Sequence, residues 1–414
     1  MSTFNHININ VLSLGFLILV ACHGTDRSQK KPLGPAKVQQ LTHTPYSAMG
    51  TYISDAKAGE RIINWSEEVD TTQTHILKFR ILDTNTQVMG EELSVPPSLG
   101  MQAHHESMAK IMRDGQGTLY ALFRFKREDP YNRHVGSVYY AVSNDDGQTW
   151  SPKKKLVEAS NSQSQGFYDM ALLPDGSLGA CWLDSRKKDP QQNGSSLYFA
   201  KTNGEAGFVN ETLVVSPICQ CCRTDMFVFG NTLNIAFRNI AEGSIRDMYL
   251  TQSIDNGAQF SVPSPMGKDY WKIAGCPHTG PSLAHNGNDL AVTWFTGSDT
   301  GTGLYFKKLT GEISLYESKK LVNSKGKHPQ MTALKNGNYY LVYEEAYEVA
   351  DQRFNRIILQ TFMPDGTEIK KQLSASHGIN LYPAISKTAD NSLLVAWEHQ
   401  LADKTEIRYV QMNL

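Results

Sequence analysis

The sequence predicts an all-β fold, a seven-bladed β-propeller of four-stranded antiparallel blades, with a six-bladed ring as the alternative. Two observations carry this. First, one unit recurs seven times: an apolar anchor, a short polar turn and, about a dozen positions later, an aromatic residue. The anchors are Ile53, Met108, Met170, Met226, Leu283, Met331 and Ile385. The aromatics are Trp65, Phe123, Trp182, Phe237, Trp294, Tyr343 and Trp397, and successive anchors lie 48 to 62 residues apart. Second, each unit divides into short strand-like runs separated by polar, Gly-containing turns, which is how a propeller blade reads.

The second unit shows the elements most fully. Ser107 to Met112 reads as an inner strand, and Asp114-Gly115-Gln116-Gly117 as the turn after it. Leu119 to Phe125 and Ser137 to Ser143 follow as the second and third strands, and Lys153 to Val157 as the outer one. The last unit runs through Leu393–Trp397 and Ile407–Met412 and then stops without an outer strand. Val38 to Thr42 resembles such a strand. The N-terminal segment is therefore expected to complete the last blade and close the ring, removing two sheet edges.

Three segments follow: residues 1–21 as a lipoprotein signal peptide, 22–37 as a flexible tether and 38–414 as the propeller. Val11 to Val20 is an apolar run of signal-peptide length, too short to span a bilayer. It ends in Leu19-Val20-Ala21-Cys22, which resembles a bacterial lipobox. That resemblance implies lipidation of Cys22 and a place at the cell envelope, with the membrane touched only through the anchor. Met1 to Asn10 holds no Lys or Arg, a departure from the usual basic start. The net charge of −1 and the 20% of charged residues give no basic stripe, which argues against a nucleic-acid partner. A monomer acting on a carbohydrate or small anionic ligand fits this composition.

Two turns carry a family likeness. Ser143-Asn144-Asp145-Asp146-Gly147-Gln148-Thr149-Trp150 and Ser253-Ile254-Asp255-Asn256-Gly257-Ala258-Gln259-Phe260 resemble the Asp box of the sialidase-like (BNR) propeller families. Ser and Asp there are expected to accept backbone N–H bonds, Gly to supply positive φ, and the aromatic to wedge between sheets.

In a propeller, residues just before each anchor and just after each aromatic converge on one end of the funnel. Three before the anchors stand Gly50, His105, Phe167, Arg223, Gly280, His328 and Tyr382, with His104, Glu106, Asp169, Asp225 and His278 beside them. After the aromatics come Arg124, Asp184, Arg186, Arg238, Glu344, Glu345, Glu398 and His399. The sialidase resemblance implies glycoside cleavage, with arginines holding a substrate carboxylate and a tyrosine nucleophile activated by a glutamate. On that pattern Tyr382 is the nucleophile, Glu344 or Glu345 its activator, and Asp169 and Glu106 candidate acids. Arg223, Asp225, His105, His328, Arg186 and Arg238 are expected to bind substrate. The sequence departs from the pattern in two places. Phe79-Arg80-Ile81 falls in a third strand and lacks the family's proline, and Gly50 and His105 stand where arginines are expected.

Cys219-Gln220-Cys221-Cys222 precedes the fourth anchor and Cys276-Pro277-His278 the fifth. Disulfide bonding is one reading of these cysteines, as an oxidising compartment favours it. A Zn or Cu site of Cys219, Cys221, Cys222, Cys276 and His278 is a second, and redox-active thiols a third. A non-catalytic ligand-binding or scaffold propeller is the alternative to an enzyme, since fold alone does not decide.

Overall fold

The computed structural model describes Met1 and residues 37–414, apart from 56–58, 128, 130–134, 159–161, 163, 187–192, 310–317 and 390–391. The expected signal segment after Met1, Cys22 and all of the tether but residue 37 lie outside the described residues. Pro35–Leu414 forms one compact unit, an all-β propeller.

All seven aromatics named from the sequence are fully buried, at 0% exposure. Burying one such ring removes roughly 150–250 Å² from water, on the order of 4–6 kcal/mol of gross hydrophobic stabilisation. The four tryptophans also meet the cost of burying an indole N–H. Trp65 donates to Glu67 (3.0 Å), Trp182 to Asp184 (3.2 Å), Trp294 to Asp269 (2.7 Å) and Trp397 to Asn380 (3.0 Å). Six of the seven anchors are buried as well, Ile385 being the half-buried exception.

The second unit folds as Lys110–Arg113, Leu119–Lys126, Gly136–Ser143 and Lys154–Lys155, paired in sequence order in one four-stranded sheet. The third, fourth and fifth units form four-stranded sheets in the same way, and the first unit forms a five-stranded one whose third strand, His75–Asp83, pairs with two short outer strands. The sheets are thus neither seven nor six separate four-stranded units. The last two repeats share one eight-stranded sheet, joined through a parallel bridge between Asn355 and Ile379. The cause is length. The middle strands of the sixth repeat, Tyr339–Val349 and Gln352–Phe362, run eleven residues each and project beyond the sheet far enough to meet the next repeat.

The two Ser-to-aromatic turns behave as their chemistry predicts. Ser143 Oγ accepts from Gly147 N–H (2.9 Å), and Asp145 accepts from Thr149 N–H (2.9 Å). Gly147 has φ +89°, and a Cβ there would collide with the Phe79 ring of the preceding repeat. Trp150 meets that ring edge-on. Ser253, Asp255 and Gly257 repeat these bonds, with Phe199 as the ring beneath.

A second set of contacts runs round the axis. The innermost strand of each sheet has a free edge, and its buried N–H groups need acceptors. Each repeat supplies one to the next. Asn64 accepts from Ile111 N–H (3.1 Å), Ser107 from Phe167 (2.8 Å), Asp169 from Met226 (2.7 Å) and Asp225 from Leu283 (2.5 Å). Ser282 accepts from Met331 (3.0 Å), Glu344 from Tyr382 (2.9 Å) and Glu398 from Gly50 (2.8 Å), which returns to the first repeat.

Closure occurs where the sequence predicts it. Gln39 and Gln40 pair antiparallel with Tyr409 and Arg408. Leu41 N–H donates to Ile407 carbonyl (2.8 Å), and Ile407 N–H donates to Thr42 Oγ1 (3.1 Å). Leu41 packs at 2% exposure against Ile407, Leu394 and Trp65. Leu41→Ala should therefore cost about 2–5 kcal/mol in a denaturant titration, as for other buried leucines. A loss within about 0.5 kcal/mol, the range of surface substitutions, would show that this strand does not hold the ring closed.

Candidate active site

Four inner strands begin with the same backbone kink. Gly50 (φ +67°), Phe167 (+48°), His328 (+49°) and Tyr382 (+48°) are left-handed, each within a register shift of its strand pair. They occupy the position three before the anchor. For a residue with a Cβ this conformation costs on the order of 1–3 kcal/mol, and it persists only where surrounding contacts impose it.

At Tyr382 those contacts form a cluster. Its ring is stacked on His105 (centroids 4.4 Å apart, 8° between planes) and lies 4.4 Å from His328 on a tilt of 35°. Each imidazole is held by a buried carboxylate. His105 Nδ1 is 3.0 Å from Glu398 Oε1, and His328 Nδ1 is 3.0 Å from Glu344 Oε2. These are the same two glutamates that accept the backbone N–H groups of Gly50 and Tyr382. The His105 side chain is 38% exposed, whereas Glu398, which engages its Nδ1, is buried at 2%.

The electrostatics follow from burial and charge. Burial disfavours the charged form of His105, but the hydrogen bond and charge of Glu398 outweigh it and raise the imidazole above its ordinary value. Burial likewise opposes charging of His328, and Glu344 outweighs it in the same direction. The Tyr382 phenol is held well above the ordinary phenol range, first by burial and then by Glu344, Glu106 and Glu398. The phenol therefore stays protonated, and the glutamates oppose its ionisation rather than promote it. The expected nucleophilic role of Tyr382 is not supported, since the hydrogen bond from Tyr382 to Glu344 is made by the backbone N–H and not by the phenol. Glu345 faces the other way along the strand and binds Arg356 (2.5 Å), Lys370 (2.8 Å) and Asn323.

The other predicted acids and arginines are engaged by partners within the protein. Arg223, 4% exposed, reaches Glu106 (3.4 Å) and donates to the carbonyls of Pro281 and Pro329 (3.1 Å each). It braces three repeats rather than waiting for an anion, and Glu106 is its buried partner rather than an acid open to substrate. Asp169 accepts from Met170 and Met226 and lies 3.6 Å from buried Lys110. Burial is the main cause of its raised pKa. Asp225 is pushed up to about 7, by burial and then by Asp169. Arg186 is taken by Asp184 (3.0 Å) and Glu211 (2.6 Å). Arg238, 1% exposed, is taken by the carbonyls of Arg246, Phe295 and Thr279.

A separate cavity of about 690 Å³ is lined by residues of the second to fifth repeats and by none of the three rings of the cluster. His104, the neighbour of His105, lines it together with Arg124, Phe167, Cys221, Cys276 and His278. His104 Nδ1 accepts from the N–H groups of Glu106 and Ser107 (3.0 Å each), which places its proton on Nε2. Burial, then the neighbouring His105, lowers its pKa to about 4, so it is a neutral donor. Arg124 is set by Gln165 carbonyl (2.5 Å), Ser164 (3.2 Å) and Gln102. His104 and Arg124 line this cavity, yet no sequence signal ranks them above the other rim residues. The Cys219 sulfur lies 3.6 Å from both Cys221 and Cys222, too far for the disulfides that were one expectation, and all five described cysteines are free thiols.

No family model matches the chain, and no curated protein matches it either. Solved structures are similar to it in fold. A polysaccharide lyase aligns with TM-score 0.55 and 11% identity over 88% of this chain and 90% of that one. An ulvan lyase, described as a polysaccharide lyase bound to a glucuronate–sulfated rhamnose unit, aligns with TM-score 0.54 and 10% identity over 91% and 96%. The NanB sialidase of Streptococcus pneumoniae aligns with TM-score 0.51 and 8% identity over 92% and 71%. The chain thus has the propeller fold shared by sialidases and polysaccharide lyases.

The bracing role of Arg223 has a direct test. Arg223→Ala leaves Glu106 buried without its partner and should destabilise the fold by about 3–5 kcal/mol in chemical denaturation. A loss below about 1 kcal/mol, with weakened binding of an anionic ligand, would return Arg223 to the role of an anion holder.

Proposed function

We propose that this protein cleaves a uronate-containing, anionic polysaccharide by β-elimination at Tyr382 and His105. The observation that carries the reading is the tyrosine packed between two imidazoles, each fixed by a buried glutamate. Elimination from a uronate needs a base for the proton next to the carboxylate and an acid for the departing glycosidic oxygen. His105 suits the role of base, because Glu398 occupies Nδ1, leaves Nε2 to take the proton and raises its basicity. Tyr382 suits the role of acid, because its surroundings keep the phenol protonated. The C5 proton passes to His105 Nε2, a C4–C5 double bond forms, the C4–O bond breaks, and the leaving oxygen takes the Tyr382 proton. His328, which Glu344 biases toward its charged form, is assigned to steady the substrate carboxylate. The fold likeness to polysaccharide lyases, one holding a glucuronate-containing unit, supports the same substrate class.

Three further parts of the reading rest on the sequence and the strand pairing. The eight-stranded sheet is counted as two blades meeting at one bridge, which makes the propeller seven-bladed and agrees with seven repeats and seven axial bonds. The Ser143 and Ser253 turns are taken as Asp boxes of the BNR type. The apolar run ending at Cys22 supports export and lipid anchoring at the cell envelope.

The test is an assay of purified protein on uronate polysaccharides, read by the ultraviolet absorbance of the unsaturated uronate product. Tyr382→Phe and His105→Ala should each lower kcat by about 10²–10⁴ while the fold persists. The rate should rise with pH above about 6.5, as His105 loses its proton at a value raised above that of free imidazole, and should not fall until beyond about pH 10, where an ordinary phenol would ionise. New reducing ends without unsaturation, or full activity in Tyr382→Phe, would overturn the reading.

A further inference from the structure

We infer that Cys221, Cys276 and His278 form a binding site for one thiophilic closed-shell cation, Zn²⁺ or Cu⁺, at the wall of the cavity. The Sγ atoms of Cys221 and Cys276 and a ring nitrogen of His278 lie within 4.8 Å of one another. Two thiolates and an imidazole bound tetrahedrally at metal distances of 2.0–2.3 Å would stand roughly 3.5–3.8 Å apart. Each group therefore has to move by only about 1 Å or less. Soft sulfur with imidazole selects Zn²⁺ and Cu⁺ over the hard cations that prefer carboxylate oxygen.

The ligands come from two loops. Cys221 precedes the fourth repeat's inner strand, Asp225–Phe229, and is buried at 5% exposure. Cys276 and His278 precede the fifth repeat's inner strand, Ser282–His285, and both are exposed. Pro277 stands between them. His278 is left-handed, with φ +49°, two residues outside the repeating kink position, which in its own repeat is Gly280. No inter-repeat bond of the axial set accounts for that conformation at His278, whereas a shared ligand would. The cavity offers space for a fourth ligand, and a site with three protein ligands leaves that position for water or substrate.

The competing sulfur cluster is less suited to a cation. Cys219, Cys221 and Cys222 also lie within 4.8 Å of one another, but the Arg246 guanidinium donates to Cys219 Sγ at 3.0 Å and places a positive charge where the metal would sit. His104 is 6.2 Å from His278, ring to ring, yet its Nδ1 already accepts two backbone N–H groups. It therefore presents an N–H to the cavity and not a lone pair.

The experiment loads the full-length chain, purified reduced and metal-free in detergent, with Zn²⁺ or with Cu⁺ and measures the metal retained after desalting. A parallel sample takes Co²⁺, whose thiolate charge-transfer absorption reports sulfur ligation. About one equivalent of Zn²⁺ or Cu⁺ is expected, with the Co²⁺ band present. Cys276→Ser and His278→Ala should each weaken binding by at least about 10–100-fold, the loss that even indirect partners of a metal site bring. Both side chains are exposed, so melting curves of these variants should match the parent, and the two variants check each other. Cys219→Ser should keep the metal. Retention of neither cation, a Cys221–Cys276 disulfide in unreduced alkylated protein, or loss of metal in Cys219→Ser with retention in Cys276→Ser would each overturn the assignment.

Discussion

The structure depends on how the innermost strands satisfy their free edges. A sheet that ends at the axis of a propeller leaves backbone N–H groups with no strand to bind, and a buried N–H without an acceptor costs about 1–3 kcal/mol. Here every repeat hands one side-chain oxygen to the inner strand of the next, through Asn64, Ser107, Asp169, Asp225, Ser282, Glu344 and Glu398. The apolar contacts between sheets set the packing, and this ring of polar contacts sets the rotational register of one repeat against its neighbour. It also uses up most of the carboxylates near the axis.

The same constraint makes the candidate site. Glu344 and Glu398 are longer than the serines and the asparagine that do the corresponding work elsewhere. Each carboxylate that accepts a backbone N–H also meets an imidazole, His328 or His105. The left-handed backbone at Tyr382 then sets its ring between the two. A bond needed for folding thus fixes the base, and burial, aided by the same carboxylate charges, keeps the phenol protonated. Where the acceptor is short, as at Ser107 and Ser282, no such cluster arises.

Much of the fold was legible in the sequence because burial leaves a periodic mark. The seven aromatics from Trp65 to Trp397 sit where their spacing put them, and Val38 to Thr42 was recognisable as the missing strand from its likeness to other outer strands. The site was legible only by position. The repeat brought His105, His328 and Tyr382 to one end of the funnel but could not say which carboxylates were already engaged. Asp169, Asp225 and Arg223 have the residue types of a catalytic centre, yet their partners are backbone groups and side chains contributed by other repeats, a pairing that leaves no local signal. Glu344 and Glu345 differ only by the alternation of a strand, and that alternation could be assigned once the register with Gly326 and Lys327 was known. His104 and Arg124 are set by backbone carbonyls and N–H groups that no motif announces. The sharing of one sheet by the last two repeats depends on strand length, which the repeat spacing does not encode.

Buried glutamates hold His105 and His328 as raised imidazoles against a protonated Tyr382, and on this the chemistry of the site turns. Its most direct test is an NMR pH titration of the histidine rings in the folded protein, with Glu398→Gln as the comparison. Both imidazoles should titrate above the ordinary value of about 6.5, and Glu398→Gln should lower His105 alone, because burial then acts without its counter-charge. Titration of His105 at or below the ordinary value in the parent protein, or no change on removing the Glu398 charge, would contradict it.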